Sequence, residues 1–359
     1  MKKAFRILSS YELSCVLFLL LFVLTLLGTL YQVEHGLYQA QQKYFASFFL
    51  IHWLLGVLPI PLPGGYLVMG LTFVNLLLGG VVRVRKDWRR LGILLGHVGI
   101  LMLLAGAFIS YQYAQSGSVT LYEGESAGEF SSERDWEIGV REAGGSEPVT
   151  EYIIRGGNFQ MLRGGRTGTF YFANIPFELM LTGYDPAARA TQEVVLPSIR
   201  AAVLPKDTGA AQERILWAGS EPAAVDVAGK SYAIELRRGR WPLPFTIQLD
   251  KFTRELHPGT NQPKLFRSDV TKIESGIEQP ARISMNEPLR HNGYTFYQSS
   301  WGQAGAGSSE RLYSTLAVVR NPADKLPLWA CLVITLGLTL HLGQKLLRYL
   351  LAQRVKVET

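Results

Sequence analysis

His97 is the residue whose position calls most plainly for chemistry. It stands within LGILLGHVGILMLLAGAFIS, an uncharged run of membrane-crossing length that follows the cationic stretch RVRKDWRR. At about 1.5 Å per helical residue, it lies roughly 10 Å from the Arg90 end and roughly 20 Å from Tyr111, inside the hydrocarbon but nearer the basic side. An imidazole there needs a hydrogen-bond partner, a metal or a polar cavity, and ionisable groups within spans mark ligand sites and proton relays. The plain alternative is a ring bonded to a neighbouring backbone carbonyl. Gly92, Gly96, Gly99 and Gly106 share one narrow stripe of the same helix, open to close approach by another helix. His97 points about 140° away from Gly92, so the packing face and the His face are separate.

The other chemistry-bearing residues are sparse. Of the six histidines, His341 falls about four residues before Lys345. That places it roughly 6 Å from the end of the last apolar run, a depth comparable to His97, and makes it a second candidate lining residue. Asn75, in the middle of another apolar run, reads as interhelical glue. Both cysteines, Cys15 and Cys331, sit in apolar runs, so the region between residues 112 and 325 can hold no disulfide of its own and does no thiol chemistry. No CxxCH haem-attachment sequence occurs, so the chain is not itself a c-type cytochrome.

The elements that must position these residues follow from apolar length and charge. Residues 13–30, 66–82, 91–111 and 326–346 form four crossings. The N-terminal 1–12, the 83–90 loop and the 347–359 tail, with Lys345, hold twelve Lys/Arg against Glu12, Asp87 and Glu358. These pieces belong on the cytoplasmic side by the positive-inside rule, and nucleic-acid binding is not what the charge serves. Residues 31–65 balance Lys43 against Glu34, while residues 111–325 carry 23 basic and 25 acidic side chains. Both segments belong outside. Residues 34–56 mix aromatic and apolar side chains with few charges and suggest a helix lying in the outer interface, ended by PIPLPGG. Residues 112–325 break into short β-branched and aromatic runs separated by Gly, Pro and Asn, which predicts an all-β domain, a sandwich or open barrel. The Gly-rich 302–309 reads as a flexible loop. The expected fold is thus an integral membrane protein of four transmembrane α-helices with a large extracytoplasmic all-β domain between helices 3 and 4.

One stretch carries a family likeness. ARISMNEPLRHNGYTFYQSSW, residues 281–301, reads as two strands joined by a turn at Asn292-Gly293, a dipeptide suited to positive φ. This string, the following VVRNPADKLPLW with its final apolar helix, and GTLYQ at the end of the first helix resemble the ResB (CcsB) family of cytochrome c biogenesis proteins. The likeness spans nearly the full chain. It implies a non-autonomous subunit of the System II cytochrome c synthetase, a haem lyase complex, working with a CcsA/ResC-type membrane partner. Together they export haem and attach it to the CxxCH cysteines of apocytochrome c. The partner brings a tryptophan-rich haem-handling segment that this chain lacks. The resemblance implies that His97 is an axial ligand to the iron of transiently bound haem b. It gives no role to His35, His52, His257 or His291. With no acid–base constellation in the β domain, the task left to it is orienting apocytochrome c, with Asn286, Glu287, Pro288, Tyr294, Phe296, Tyr297, Gln298 and Trp301 as candidate contacts. The implied location is the cytoplasmic (inner) membrane with the large domain on the periplasmic side. The competing class is a membrane-anchored scaffold or receptor that binds a protein partner through the β domain.

Overall fold

Apolar length sets the first unit. The computed structural model describes residues 2–54, 57–144, 150–189, 195–207, 209–260, 262–304 and 311–357. It divides into one unit of Met1–Ala114 with Pro322–Thr359 and a second of Gln115–Asn321. Among the described residues, four helices are long and apolar enough to cross a bilayer: Tyr11–His35, Gly65–Val82, Trp88–Tyr113 and Leu326–Gln353. Their outward faces are lined with exposed residues such as Phe18, Phe22, Phe108 and Leu336, which suits lipid as solvent.

The chain opens with α1 (Lys2–Leu8), breaks at Ser9 and restarts as α2 (Tyr11–His35). Ser10 caps α2 by accepting from the Leu13 N–H at 3.2 Å, satisfying one of the donors a helix start leaves orphaned. A short α3 (Leu37–Ala40) and a π-helical turn at Gln41–Phe45 follow. Then comes an antiparallel hairpin of β1 (Phe49–Leu54) and β2 (Leu58–Pro63), where the sequence suggested an interfacial helix. Leu55 and Gly56 of that expected helix lie outside the described residues. The prolines explain the difference: Pro59, Pro61 and Pro63 occupy every second position of β2, so their missing N–H groups fall on one edge. Leu58, Ile60 and Leu62 are left to pair with β1. Tyr44 and Leu50 from this region pack with Leu17, Leu24 and Val68 in a small core between helices. After it, α4 (Gly65–Asn75) runs directly into a π-helical stretch, Leu76–Val82, and a tight turn at Trp88–Arg90 leads into α5 (Leu91–Tyr113).

Among its described residues the second unit is all-β apart from one helical turn. Its elements are β3 (Gln115–Tyr122), β4 (Ser126–Glu142), β5 (Glu151–Arg155), α6 (Gly156–Phe159), β6 (Thr167–Tyr171), β7 (Phe177–Arg189), β8 (Val195–Pro205) and β9 (Gln212–Trp217). They continue with β10 (Ala223–Val227), β11 (Lys230–Leu256), β12 (Pro263–Glu274), β13 (Ile277–Ser284), β14 (Leu289–His291), β15 (Tyr294–Ala304) and β16 (Arg311–Arg320). Of the expected flexible loop, residues 305–309 lie outside the described residues. A ten-stranded sheet runs β13-β12-β11-β4-β3-β16-β15-β14, with β10 on β11 and β5 on β4. Its ends, β13 and β14, are consecutive in the chain and meet at a turn closed by the Ser284 and Glu287 backbones, so the sheet curls nearly into a barrel. A separate four-stranded sheet, β6-β7-β8-β9, packs against it.

Alternation places the cores. Phe177, Leu179 and Leu181 of β7 all face one way and are fully buried with Ile138, Val140, Ile199 and Ile234. A second core gathers Leu121, Phe130, Ile247, Val270, Phe296 and Leu316. The 27-residue β11 and the 17-residue β4 contribute to both. They pair with each other in three stretches, separated by register shifts at Arg238/Arg240 and Pro242/Ile247.

The chain ends in α7 (Leu326–Val357), which continues as helix past Leu346 through residues expected to form a tail. It lies against the glycine stripe of α5. A Cβ on Gly99 would come within 2.5 Å of Ile334, one on Gly92 within 2.6 Å of the Gly337 carbonyl, and one on Gly106 within 3.2 Å of Leu326. Small residues at these positions let the two backbones approach, the usual device where lipid offers no hydrophobic drive to association.

Candidate functional site in the helical unit

The imidazole of His97 leaves α5 on a different face from the glycines and meets the π-helical end of the second span. Its Nδ1 lies 3.0 Å from the carbonyl oxygen of Gly80. The last carbonyls of a helix have no partner within it, and Gly80 is two residues from the end of this one. A carbonyl only accepts, so Nδ1 carries the proton and donates. In the neutral ring this leaves the lone pair on Nε2. Gly80 is required by the contact: a Cβ there would stand 2.9 Å from Cγ of His97.

His97 lines a cleft of about 350 Å³, open on one side, whose other walls come from the start of α2, the end of the second span and the start of α5. One wall is organised by Asn75, as interhelical glue should be. Its Nδ2 donates to the carbonyls of Leu8 and Ser10 at 2.9 and 3.0 Å, and its Oδ1 accepts from Ser14 Oγ at 2.7 Å. The break between α1 and α2 is thereby clamped to α4. Gly79 permits the approach, since a Cβ on it would lie 3.1 Å from the Ser9 carbonyl. Arg83 adds a bond from Nη1 to that same carbonyl at 3.1 Å.

His341 does not share the cleft. Its backbone N and Cβ abut Gly92, on the glycine face of α5, whereas His97 faces the second span. Gly92 is also five residues nearer the basic end, about 7 Å along the helix, so the two residues share neither face nor level. The expected second lining residue is therefore a helix-packing residue. The remaining histidines have local roles: His35 stacks on Tyr31 at 3.8 Å, His52 Nδ1 bonds the Tyr44 hydroxyl at 2.8 Å, and His291 Nε2 bonds Glu274 at 2.8 Å. The backbone N–H of His257 donates to Gln262 in a turn.

In the β unit, the eight candidate contact residues divide by burial. Phe296 is fully buried and Tyr294 nearly so, which removes both from any surface. Alternation along β15 turns them inward, and Gln298, two residues on in the same unbroken register, turns inward with them. Its amide bonds Ser268 and Ser314, themselves fully buried. Trp301 stacks on Phe252 at 5.8 Å, and the Arg254 guanidinium lies over its ring at 4.6 Å. Asn286, Glu287 and Tyr297 are exposed and Pro288 is half-buried. Glu287 mainly closes the turn with Ser284. Asn292 and Gly293 have φ of 48° and 78°, the left-handed pair expected of the hairpin turn.

Sequence reading missed Gly80, Arg83 and the Ser9–Ser10 break. The signals present were the Gly79-Gly80 pair at a span end and two serines ahead of the first span.

Four apolar helices with a β domain inserted between the third and fourth define a polytopic membrane protein carrying one hydrogen-bonded imidazole in an open cleft. The ResB-like family model matches residues 201–313, from β8 to β16. Protein NrfI of Wolinella succinogenes is 23% identical over 371 residues, covering 99% of this chain and 37% of that protein. Cytochrome c biogenesis protein CcsB of Synechococcus sp. (strain RCC307) is 32% identical over 99 residues, 27% of this chain and 20% of the relative. CcsB of Nostoc sp. (strain PCC 7120) is 31% identical over 74 residues, 20% and 15%. The chain thus spans little more than a third of NrfI, and its matches to the CcsB proteins are confined to shorter stretches.

Proposed function

We propose that this chain acts in cytochrome c biogenesis as the ResB-type, non-autonomous subunit of a haem-handling membrane complex, with haem b as cargo and His97 as its axial ligand. The observation that carries the reading is the bond from His97 Nδ1 to the Gly80 carbonyl. A second partner that fixes the ring and its tautomer is the usual mark of a metal-ligating histidine, and the free Nε2 is the atom that ligates iron. A half-open cleft suits cargo that must be received and passed on, with a CcsA/ResC-type partner completing the site. The reactive groups of thioether formation belong to haem and to the apocytochrome thiols, so what this chain contributes is position. The distribution of Lys and Arg supports insertion in the cytoplasmic membrane with the β domain outside, where it would meet apocytochrome c. Exposed Asn286 and Tyr297 remain available for that contact.

The test is co-expression with the partner, purification and an absorption spectrum. Wild-type complex is expected to carry haem. His97→Ala should weaken or shift the spectrum at near-normal abundance and lower cytochrome c yield, with imidazole in the medium restoring part of it. A His97→Ala complex with unchanged spectrum and yield would leave this chain a partner-binding scaffold.

A further inference from the structure

The His97 cleft holds a feature that iron ligation does not use. Arg83 and Arg90 line it together with Ser9, Ser10, Ser14 and Asn75. Neither guanidinium lies within 4.0 Å of a carboxylate among the described residues, where every ion pair falls in the β unit. Arg83 spends one donor of its five on the Ser9 carbonyl. Arg90 spends none of its side-chain donors on a described residue. Ser9 is 5% exposed, and its Oγ has no hydrogen-bond partner among the described residues. A buried hydroxyl left unpaired in the wall of a cleft is a group awaiting a ligand, since native structures rarely leave such atoms unsatisfied.

These groups share a chemistry. A guanidinium is the planar fork that matches a carboxylate, and a hydroxyl completes its coordination. Arg85, Lys86 and Arg89 belong to the same loop and serve orientation in the membrane equally well, yet none of them lines the cleft. Arg90 and His97 are seven residues apart, about 10 Å along the axis, which is on the scale of the span from the centre of a porphyrin to its carboxylates.

Resting on the reading of His97 as an iron ligand, we infer that Arg83 and Arg90 are the carboxylate receptors of the cleft: they take the propionate edge of haem and so fix which way the ring enters. Arg83 and Arg90 are positioning residues in this scheme. The propionates lie toward the basic end of the bundle, the apolar edge toward its middle, and a porphyrin without free carboxylates loses this part of the binding.

The experiment uses the full chain purified with its partner and stripped of haem, titrated with haem b and with haem dimethyl ester. R83Q/R90Q should weaken haem b at least tenfold and leave the ester unchanged, with wild type binding the ester about as weakly as the double variant binds haem b. R85Q/R89Q, which removes equal charge outside the cleft, should bind both like wild type. If the double variant does not accumulate, R90Q alone carries the test, because its side chain makes no hydrogen bond to a described residue. Equal weakening of both ligands, or of neither, overturns the inference, as does loss of co-purifying anionic phospholipid with haem affinity intact. Wild type that binds neither ligand, or H97A that binds both with an unaltered spectrum, overturns the iron-ligand reading instead.

Discussion

The Nδ1 of His97 and the carbonyl oxygen of Gly80 meet at 3.0 Å across two membrane helices, with no room for a side chain at Gly80. The second span thereby sets the ring orientation of a residue on the third. Gly80→Ala, which leaves His97 in the sequence, should therefore behave much like its loss. We expect haem affinity to fall roughly tenfold, the scale for disturbing the partner of a metal-bound imidazole. Gly96→Ala is the control, since a Cβ there meets nothing within 4 Å. Equal haem spectra in the two variants would show that the ring does not depend on Gly80.

His341 stands on the glycine face of α5, away from the cleft. His341→Ala is expected to leave the haem spectrum and the haem affinity within twofold of wild type, while His97→Ala changes both. A spectral shift in His341→Ala would bring it back as a ligand and contradict the helix packing described above.

The hairpin turn of β14 and β15 is held from outside as well as by its dihedrals. His291 Nε2 and Asn292 Nδ2 both donate to the Glu274 carboxylate, at 2.8 and 2.9 Å. Gly293→Val forces a β-branched residue to a φ of 78° and Asn292→Pro demands a φ that the ring forbids. Each should cost about 1–3 kcal/mol. Limited proteolysis of the whole protein checks this, with cleavage expected between β13 and β15; wild-type resistance in both variants would refute the strain.

A buried ion cluster sets the acid limit of the β unit. Glu137, 4% exposed, accepts from Arg237 Nε at 3.0 Å and Arg240 Nε at 3.2 Å. Glu151 binds the same two arginines. Burial alone would raise the Glu151 carboxyl, but hydrogen bonds and charge from Arg240 and Arg237 outweigh it and hold it below the usual carboxylate range. With the folded value below the unfolded one, the stabilisation is complete above the ordinary carboxylate range and is lost as pH falls through the folded value. Glu137→Ala removes the most buried carboxylate from two half-buried arginines that keep Glu151, and should destabilise by about 1–3 kcal/mol. Urea midpoints of the full chain across acid pH should drop in wild type and flatten in Glu151→Gln; parallel profiles would remove Glu151 from the account.

What could be read from the sequence was what depends on composition over many residues or on one unusual residue. Apolar length marked the spans, alternation marked the strands, and an imidazole among leucines and glycines marked His97. Contacts between segments distant in sequence were hidden. Nothing local in GGVV assigns a carbonyl to His97, and helical depth counted along one segment could not reveal that His341 sits behind Gly92. The β1–β2 hairpin was lost because aromatic and apolar residues around His52 suit an interfacial helix as well as a strand; the proline spacing that decides between them lies in the next segment. The motif marks Tyr294 and Phe296 as residues that matter without saying which way a strand turns them.

Strands β4 and β11 run side by side through both hydrophobic cores of the β unit. The ladder shifts register between Arg238 and Arg240, where β4 skips from Trp136 to Ser131, and Glu137 bridges that shift by accepting from both Arg237 and Arg240. The two cores thus share a fate: they melt in a single cooperative transition, and slow hydrogen exchange should extend along β4 and β11 from one core into the next with no step between them.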